Sequence, residues 1–356
     1  MKQERQFGGD AVRALALLMV ITVHFFLNTE FYSQPLMGPT MAVCAWVRMA
    51  MMPCVPLFLM LSGCFCAGRR WSLRYLLGLL PILLTYILSG VLCLAFRKLY
   101  LHETLGRHVL RLFLEFSAAP YAWYVAMYLG LYLLMPFMNV GWQELSAAAR
   151  IALLVCLFLL SSLPTLTNNN YQAMPDFWLH LYPAAYYLLG CWLREPPGFI
   201  RKIPGWALLL GWLALAAAAT AMQWDMAAGS PFAWTAFTDF NSPFVAGEAL
   251  CAFVLISRVP DRDGPRALRR AVSFIAQLSL PIYLLSYIFD ALFYPILNSH
   301  AQTMKLRMCF LPLMVLAVLI CSAILAWPVD LAARRLKKML TVRGQEKHRE
   351  DAADEH

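Results

Sequence analysis

The chain has 356 residues, of which 61% are hydrophobic and only 14% are charged. Soluble domains are about 45–50% apolar and about 25% charged, so this composition excludes an ordinary soluble protein and indicates an integral membrane protein. The net charge of +9 reflects an uneven distribution of Lys and Arg between loops, and we expect no nucleic-acid partner. The ten cysteines lie almost entirely in apolar segments without metal-binding spacing, so we expect small buried side chains and no metal.

Ten apolar segments are long enough, or nearly so, to cross a bilayer, which takes about 20 helical residues. We predict an all-α, polytopic membrane protein with about ten transmembrane helices. In chain order, they lie near 11–29, 41–67, 74–96, 120–139, 150–165, 178–194, 204–223, 242–258, 271–297 and 308–328. We expect residues 1–333 to form this transmembrane domain and residues 334–356 to form a charged, partly disordered cytoplasmic tail.

Both termini are predicted to be cytoplasmic. This topology places most of the 29 Lys and Arg on the cytoplasmic side, as the positive-inside rule requires, and the inverted topology would reverse that bias. The external loops 30–40, 165–177 and 224–241 then carry no basic residue. The external loop 97–119 is the exception.

Apolar residues in the loop 97–119 recur at helical spacing, at Leu105, Val109, Leu112 and Phe116. Together with the basic residues of this loop, that spacing predicts an amphipathic helix lying in the membrane interface.

The first apolar segment keeps three polar residues on one helical stripe: Asp10, Arg13 and His24. Arg13 and His24 are three helical turns apart, or about 16 Å along the axis. Such groups are costly in hydrocarbon and usually face a cavity, so we interpret the segment as a retained first helix, not a cleaved signal peptide, and expect both groups to face one shared cavity.

Each of the three residues has two interpretations. Arg13, near the cytoplasmic interface, either binds an anion or reaches lipid phosphate. Asp10 either caps the helix or holds Arg13 in place. His24, near the middle of the bilayer, is either a general base or nucleophile, or a partner in an interhelical hydrogen bond.

The second span and the loop after it supply more candidates. Ser62 and Gly63 allow close approach of backbone or ligand. Arg69, Arg70 and Arg74 follow at the cytoplasmic face. They reflect either the positive-inside bias or a site for a phosphorylated cytosolic ligand, which guanidinium groups bind well.

Later spans contain further polar groups. Trp123, Tyr124 and Tyr187 are residue types that also occur as ordinary interfacial aromatics. Glu248 lies within a span and needs a partner, and Arg48 and His24 are the nearest candidates by depth.

In this order the segments resemble the acyltransferase-3 family of membrane acyltransferases. The matching motifs are Asp10-x-x-Arg13 with Arg13-x10-His24, Pro56-x-Phe58-x-x-Leu61-Ser62-Gly63, Trp123-Tyr124 with Tyr132 and Pro136, Tyr187-Leu188-Leu189-Gly190, and Ile282-Tyr283-Leu284. The chain departs from the family pattern twice. It has Tyr121-Ala122-Trp123 where members often carry His-Leu-Trp, and it has Ser286 where the late Tyr-Leu-Ile-His segment often ends in histidine.

The resemblance implies transfer of an acyl group, usually acetyl from cytoplasmic acetyl-CoA, to a hydroxyl of an extracytoplasmic glycan or lipid-linked sugar. It implies a multi-pass protein of the bacterial cytoplasmic membrane. His24, with Arg13 and Asp10, would be the catalytic group, acting as base or acyl carrier. The acyl-CoA donor would contact Arg13, Ser62, Arg69, Arg70 and Arg74. The acceptor would contact Arg48, Trp123, Tyr124, Tyr187 and Glu248.

Two other functions are compatible with these residues. Polar groups inside a helical bundle also mark the pathway of a transporter for a small molecule or an amino acid. The absence of the two family histidines is also compatible with a sensor or assembly component that has a degenerate site.

Overall fold

The computed structural model describes residues 7–106, 108–167, 176–233, 237–260 and 265–354, with side chains as far as residue 340. The chain is 80% helical, and the described ranges contain no strand, which confirms the all-α prediction. The helices are α1 (Phe7–Asn28), α2 (Gly38–Ala50), α3 (Cys54–Cys66), α4 (Leu73–Leu76), α5 (Leu80–Leu99), α6 (Val109–Leu114), α7 (Trp123–Glu144), α8 (Ala147–Thr167), α9 (Tyr182–Leu193), α10 (Gly198–Lys202), α11 (Gly205–Ala227), α12 (Pro243–Ser257), α13 (Arg266–Gln277), α14 (Ser279–His300) and α15 (Met304–Asp354).

Every predicted span contains helix. Within the described ranges, eight helices are long and apolar enough to cross a membrane, which confirms a polytopic membrane protein. The two other predicted spans form shorter helices: 178–194 contains the 3-10 helix Asp176–Leu181 followed by α9, and 242–258 contains α12. The count of about ten therefore stays a prediction, as does the orientation of the termini. The external loops 165–177 and 224–241 are described only in part.

The prediction of one helix over 271–297 was wrong, because the chain breaks at Leu278 into α13 and α14. In α13, Arg266 and Arg270 are exposed and only Ala276 is buried. Guanidinium groups are costly in hydrocarbon, whereas α14, with 22 residues, is long and apolar enough to cross a membrane without α13.

The amphipathic helix predicted in 97–119 is also not formed as expected. After α5 ends at Leu99, the described part of this loop contains helix only in α6, and Phe116 lies beyond it with φ 55°. The earlier part of the loop is folded by an ion pair of 2.8 Å between Arg97 Nε and Glu103 Oε2, and by a hydrogen bond from the Glu103 amide to the Arg97 carbonyl. Local polar contacts thus replace a continuous amphipathic surface. Arg107 of this loop lies outside the described residues.

The predicted tail differs as well, since α15 continues through it to Asp354. Arg, Lys, Glu and Ala dominate this segment and are good helix formers. The side chains of its acidic end lie outside those described.

Helix α1 lies inside the bundle, in contact with α3, α12, α13, α14 and α15. A second close contact joins α3 to α9, where Gly63 and Gly190 face each other's helix. A Cβ atom on Gly63 would overlap the carbonyl oxygen of Tyr187, and a Cβ atom on Gly190 would overlap the carbonyl oxygen of Met60. Only glycine permits this backbone contact.

Candidate functional site

The first two turns of α1 hold Asp10 and Arg13 at what we call the Arg13 end of the bundle. Asp10 is buried and accepts a hydrogen bond of 2.7 Å from the Ser273 hydroxyl of α13. Its other carboxylate oxygen lies 4.0 Å from Arg13 Nη1. Asp10 therefore lies inside α1, where it contacts Arg13 and ties α1 to α13.

A cavity of about 350 Å³, the Arg13 cavity, opens at this end. It carries two cationic side chains, Arg13 and Arg69, together with Ser62 and Cys66. Three tyrosines of α7 line its wall: Tyr124, Tyr128 and Tyr132. Arg13, whose side chain is 33% exposed, is thus accessible from solution at the mouth of a partly aromatic cleft.

The three arginines predicted to bind the donor separate in the structure. Arg69 lines the Arg13 cavity, whereas the exposed Arg70 and Arg74 are not among its lining residues. The neighbouring Cys66 sulfur raises the pKa of Arg69, so this guanidinium stays charged.

The loop that carries Arg69 is held by α7 and α9. Asn139 donates from Nδ2 to the carbonyls of Cys66 and Arg69, at 2.7 and 2.9 Å. The Tyr187 hydroxyl in turn donates to Asn139 Oδ1 at 2.7 Å. Tyr187, which the sequence placed on the acceptor side, therefore supports the Arg69 loop at the Arg13 end.

A smaller cavity of about 70 Å³ continues from the first one. The two share Phe58, Tyr124, Ser279 and Leu280, and the smaller one ends at Tyr283. Its wall is almost entirely apolar.

His24 lies beyond Tyr283, in a buried polar cluster. Its Nδ1 atom is 3.6 Å from Oδ2 of Asp290, a residue of α14. The Tyr121 hydroxyl donates to the same carboxylate oxygen at 2.9 Å, and its ring packs on the imidazole with centroids 3.9 Å apart. A carboxylate beside Nδ1 orients an imidazole, which leaves Nε2 for proton transfer.

Tyr283 separates His24 from the two cavities. Its ring lines the smaller cavity and lies 6.1 Å from the imidazole, centroid to centroid, and its hydroxyl donates to the Tyr121 carbonyl. Arg13 faces the predicted cavity, but His24 is not among the lining residues of these two cavities.

Arg48 lies in a second buried region, the Arg48 region. It donates from Nη1 to the Thr238 carbonyl at 2.8 Å and from Nε to the Tyr32 hydroxyl at 3.1 Å, and it packs over the Phe232 ring at 4.9 Å. Arg48 attracts Glu248 electrostatically, but neither carboxylate oxygen of Glu248 has a hydrogen-bond partner among the described residues.

The remaining acceptor candidates lie apart. Trp123 stacks on Phe240, with ring centroids 5.7 Å apart, and the Tyr186 hydroxyl donates to the Phe240 carbonyl at 2.7 Å. The segment 237–242 thus covers both Trp123 and Arg48. Tyr124 instead lines both cavities.

Sequence analysis did not assign Asp290 to the site. The available signal was a carboxylate inside a span, which needs a partner. Among the described residues, no three His, Cys, Asp or Glu side chains gather as metal ligands would.

Comparison with known proteins identifies the family. A family model described as an acyltransferase domain matches residues 8–327, a range that includes both cavities and the pair of His24 and Asp290. No curated protein and no solved structure matches the chain. Because the family model covers nearly the whole chain, the protein belongs to the acyltransferase-3 family and is a membrane acyltransferase.

Proposed function

We propose that the protein transfers an acetyl group from cytoplasmic acetyl-CoA to a hydroxyl of an extracytoplasmic glycan or lipid-linked sugar, in the inner membrane of a bacterium. The observation that carries the proposal is the Arg13 cavity, which holds two cations at its mouth and narrows into an apolar cleft toward His24. The predicted orientation places this mouth in the cytoplasm, where acyl-CoA is available.

The Arg13 cavity suits the donor. Guanidinium groups bind phosphate through paired hydrogen bonds, so Arg13 and Arg69 would hold the phosphates of CoA. A volume of about 350 Å³ lies at the lower end of the range for ligand sites, so the cavity would take the pantetheine arm and leave the nucleotide outside. The smaller cavity of about 70 Å³ favours a short acyl chain.

His24 would act as the general base. As the acceptor oxygen attacks the thioester carbonyl, Nε2 takes the hydroxyl proton, the carbon–sulfur bond breaks, and the CoA thiolate receives a proton, so the products are an ester and CoA. Asp290 stabilises the imidazolium formed on the way. If His24 instead carries the acyl group, Nε2 first displaces the CoA thiolate. In a second step the acceptor oxygen displaces Nε2 from the acyl carbon, and the hydroxyl proton passes to the freed imidazole. In either route the Tyr283 ring has to move, because it stands between the cavity and the imidazole.

The acceptor would approach from the opposite end, where Trp123, Arg48 and Glu248 lie under the segment 237–242. An exposed tryptophan ring offers a flat apolar surface to a sugar ring, and a buried carboxylate offers acceptors to its hydroxyls.

Transport of a small molecule is the second candidate function. The buried carboxyl group of Glu248 favours it, because its oxygens have no hydrogen-bond partner among the described residues and such groups also mark substrate pathways in membrane bundles.

In the test, acetyl-CoA labelled in the acetyl group is added to membranes that contain the protein. We expect label in a glycan or lipid-linked sugar, and we expect His24→Ala to lower its rate by roughly 100-fold or more. Thr22→Ala is the matched control, since the Thr22 hydroxyl donates to the Leu18 carbonyl of its own helix at 2.8 Å. Uptake of a solute without consumption of acetyl-CoA would favour transport instead.

A further inference from the structure

Polar residues continue along α14 beyond the pair of His24 and Asp290. Asp290, Tyr294 and Asn298 follow each other at intervals of four residues and therefore lie along one face of the helix. This face is turned toward α1, because Asp290 lies beside His24 and Asn298 Nδ2 donates to the Asn28 carbonyl at 2.9 Å. We call these three residues the α14 stripe.

Each residue of the α14 stripe has a buried polar atom that lacks a hydrogen-bond partner among the described residues. These atoms are Asp290 Oδ1, the Tyr294 hydroxyl and Asn298 Oδ1, and His24 Nδ1 adds a fourth. Asp290 is 1% exposed and Tyr294 is 2% exposed. Folded proteins leave very few buried polar groups unpaired, and buried water molecules with two to four polar partners satisfy many of them.

The positions of these atoms favour a continuous file of water over separate defects. Asp290, Tyr294 and Asn298 are each one helical turn from the next, which places neighbouring Cβ atoms about 5–6 Å from one another, and the Tyr121 hydroxyl donates to Asp290 at 2.9 Å. Asn28 continues the series on α1, since its Nδ2 atom lies 3.5 Å from the Tyr121 hydroxyl.

The α14 stripe leads away from the Arg13 cavity. It ends at Asn28 and Asn298, which are half-buried, whereas the residues nearer the middle of the bundle are buried. Beside this end, Arg307 Nη1 forms an ion pair of 2.9 Å with Glu30, whose side chain is 57% exposed. The stripe therefore reaches solvent at the end of the bundle opposite to Arg13.

We propose that a file of internal water molecules runs along the α14 stripe and connects the pair of His24 and Asp290 to the extracytoplasmic solution. Its catalytic role rests on the proposed function. The proton that Nε2 takes from the acceptor hydroxyl is balanced by release of the Nδ1 proton into this file. The CoA thiolate then takes its proton from the cytoplasmic side. Before the next turnover the file returns a proton to Nδ1, and Nε2 releases its proton to the extracytoplasmic solution through the acceptor site. For each acetyl group transferred, the extracytoplasmic solution therefore gains one proton and the cytoplasm loses one.

The test is radiolytic labelling of the full chain in lipid nanodiscs, in which hydroxyl radicals formed from bound water oxidise adjacent side chains. Labelled residues are quantified by mass spectrometry after millisecond exposures. Tyr186 is the matched control, because it is fully buried like Tyr294 but its hydroxyl donates to the Phe240 carbonyl. We expect Tyr294 to be oxidised several-fold faster than Tyr186. Equal rates would overturn the proposal.

A pair of variants locates the opening of the file. Asn298→Leu replaces the polar outer end with an apolar group and should reduce the labelling of Tyr294 to that of Tyr186. Ser299→Ala, at the exposed neighbouring position, should leave it unchanged. Fast labelling of Tyr294 that survives Asn298→Leu in a folded protein would contradict an opening at this end. The measurement uses no acyl donor, so its result is independent of whether acetyl transfer is observed.

Discussion

The Arg13 cavity and the Arg48 region each contain an arginine inside a predicted span. The two arginines differ in their exposure and in the groups that surround the guanidinium. Arg13 is one-third exposed and lines an open cavity, so a ligand can reach it. Arg48 is completely buried, and its guanidinium contacts the Thr238 carbonyl, the Tyr32 hydroxyl and the Phe232 ring. An intramembrane charge therefore does not by itself indicate a ligand site, because the same residue type can hold the fold together.

Removing the buried arginine tests this difference most strongly. Arg48→Met should destabilise the protein by about 3 kcal/mol or more, because it removes the hydrogen bonds to the Thr238 carbonyl and the Tyr32 hydroxyl, and each such bond from a charged group contributes about 1.5–3 kcal/mol. The measurement is the thermal unfolding midpoint in detergent. Arg13→Met, which removes a partly exposed ion pair, should change stability by less than about 1 kcal/mol.

The double variant Arg48→Met, Glu248→Gln sharpens the test. It should be about as stable as Arg48→Met alone, because the bonds lost are those to Thr238 and Tyr32, and the Glu248 carboxyl oxygens have no hydrogen-bond partner among the described residues. A single variant as stable as the unmodified protein would show that Arg48 does not hold the segment 237–242.

Two adjacent arginines test the donor end. Arg69→Gln should raise the KM for acetyl-CoA about tenfold, since a charge-assisted hydrogen bond contributes about 1.5–3 kcal/mol. Arg70→Gln should leave KM nearly unchanged, because Arg70 does not line the cavity. The measurement is the initial rate of acetyl transfer at varied acetyl-CoA. Equal effects would indicate general attraction by a basic surface, without a specific contact.

Substitutions of two adjacent tyrosines have the smallest expected effects. They test whether the Arg13 cavity binds the donor and the region under the segment 237–242 binds the acceptor. Tyr187→Phe removes a hydrogen bond that supports the Arg69 loop and should raise the KM for acetyl-CoA a few-fold. Tyr186→Phe removes the bond to the Phe240 carbonyl and should change the KM for the acceptor instead. The same initial-rate assay, with each substrate varied in turn, checks both. A shift in the same parameter for both variants would contradict the assignment of the regions.

Hydropathy predicted the helical framework well, because the bilayer imposes a minimum length on each span. It could not separate α13 from α14, since the apolar run starts inside α13 before the break at Leu278. The side chains of Asp10, Arg13 and His24 could be placed on α1 from their spacing alone. Local motifs could not reveal the pairing of His24 with Asp290, because α1 and α14 are far apart in sequence and meet only in the folded bundle.

The sequence also could not divide the candidate binding residues between the two ends of the bundle. Tyr187 and Glu248 were both assigned to the acceptor side by residue type and approximate depth. In the structure the Tyr187 hydroxyl contacts Asn139 near the Arg69 loop, while Glu248 lies within electrostatic range of Arg48. Depth along a helix is readable from sequence, but the direction in which a side chain points depends on which helix packs beside it.

The glycine contact between α3 and α9 has a consequence for entry of the donor. At Gly63 and Gly190 each backbone lies directly against the other helix without an intervening side chain, so we expect α3 and α9 to move together. One wall of the Arg13 cavity belongs to this pair of helices, through Ser62 and Cys66. We therefore expect any widening that admits a thioester past Tyr283 to come from displacement of α7 or α14, on the opposite side of the cleft.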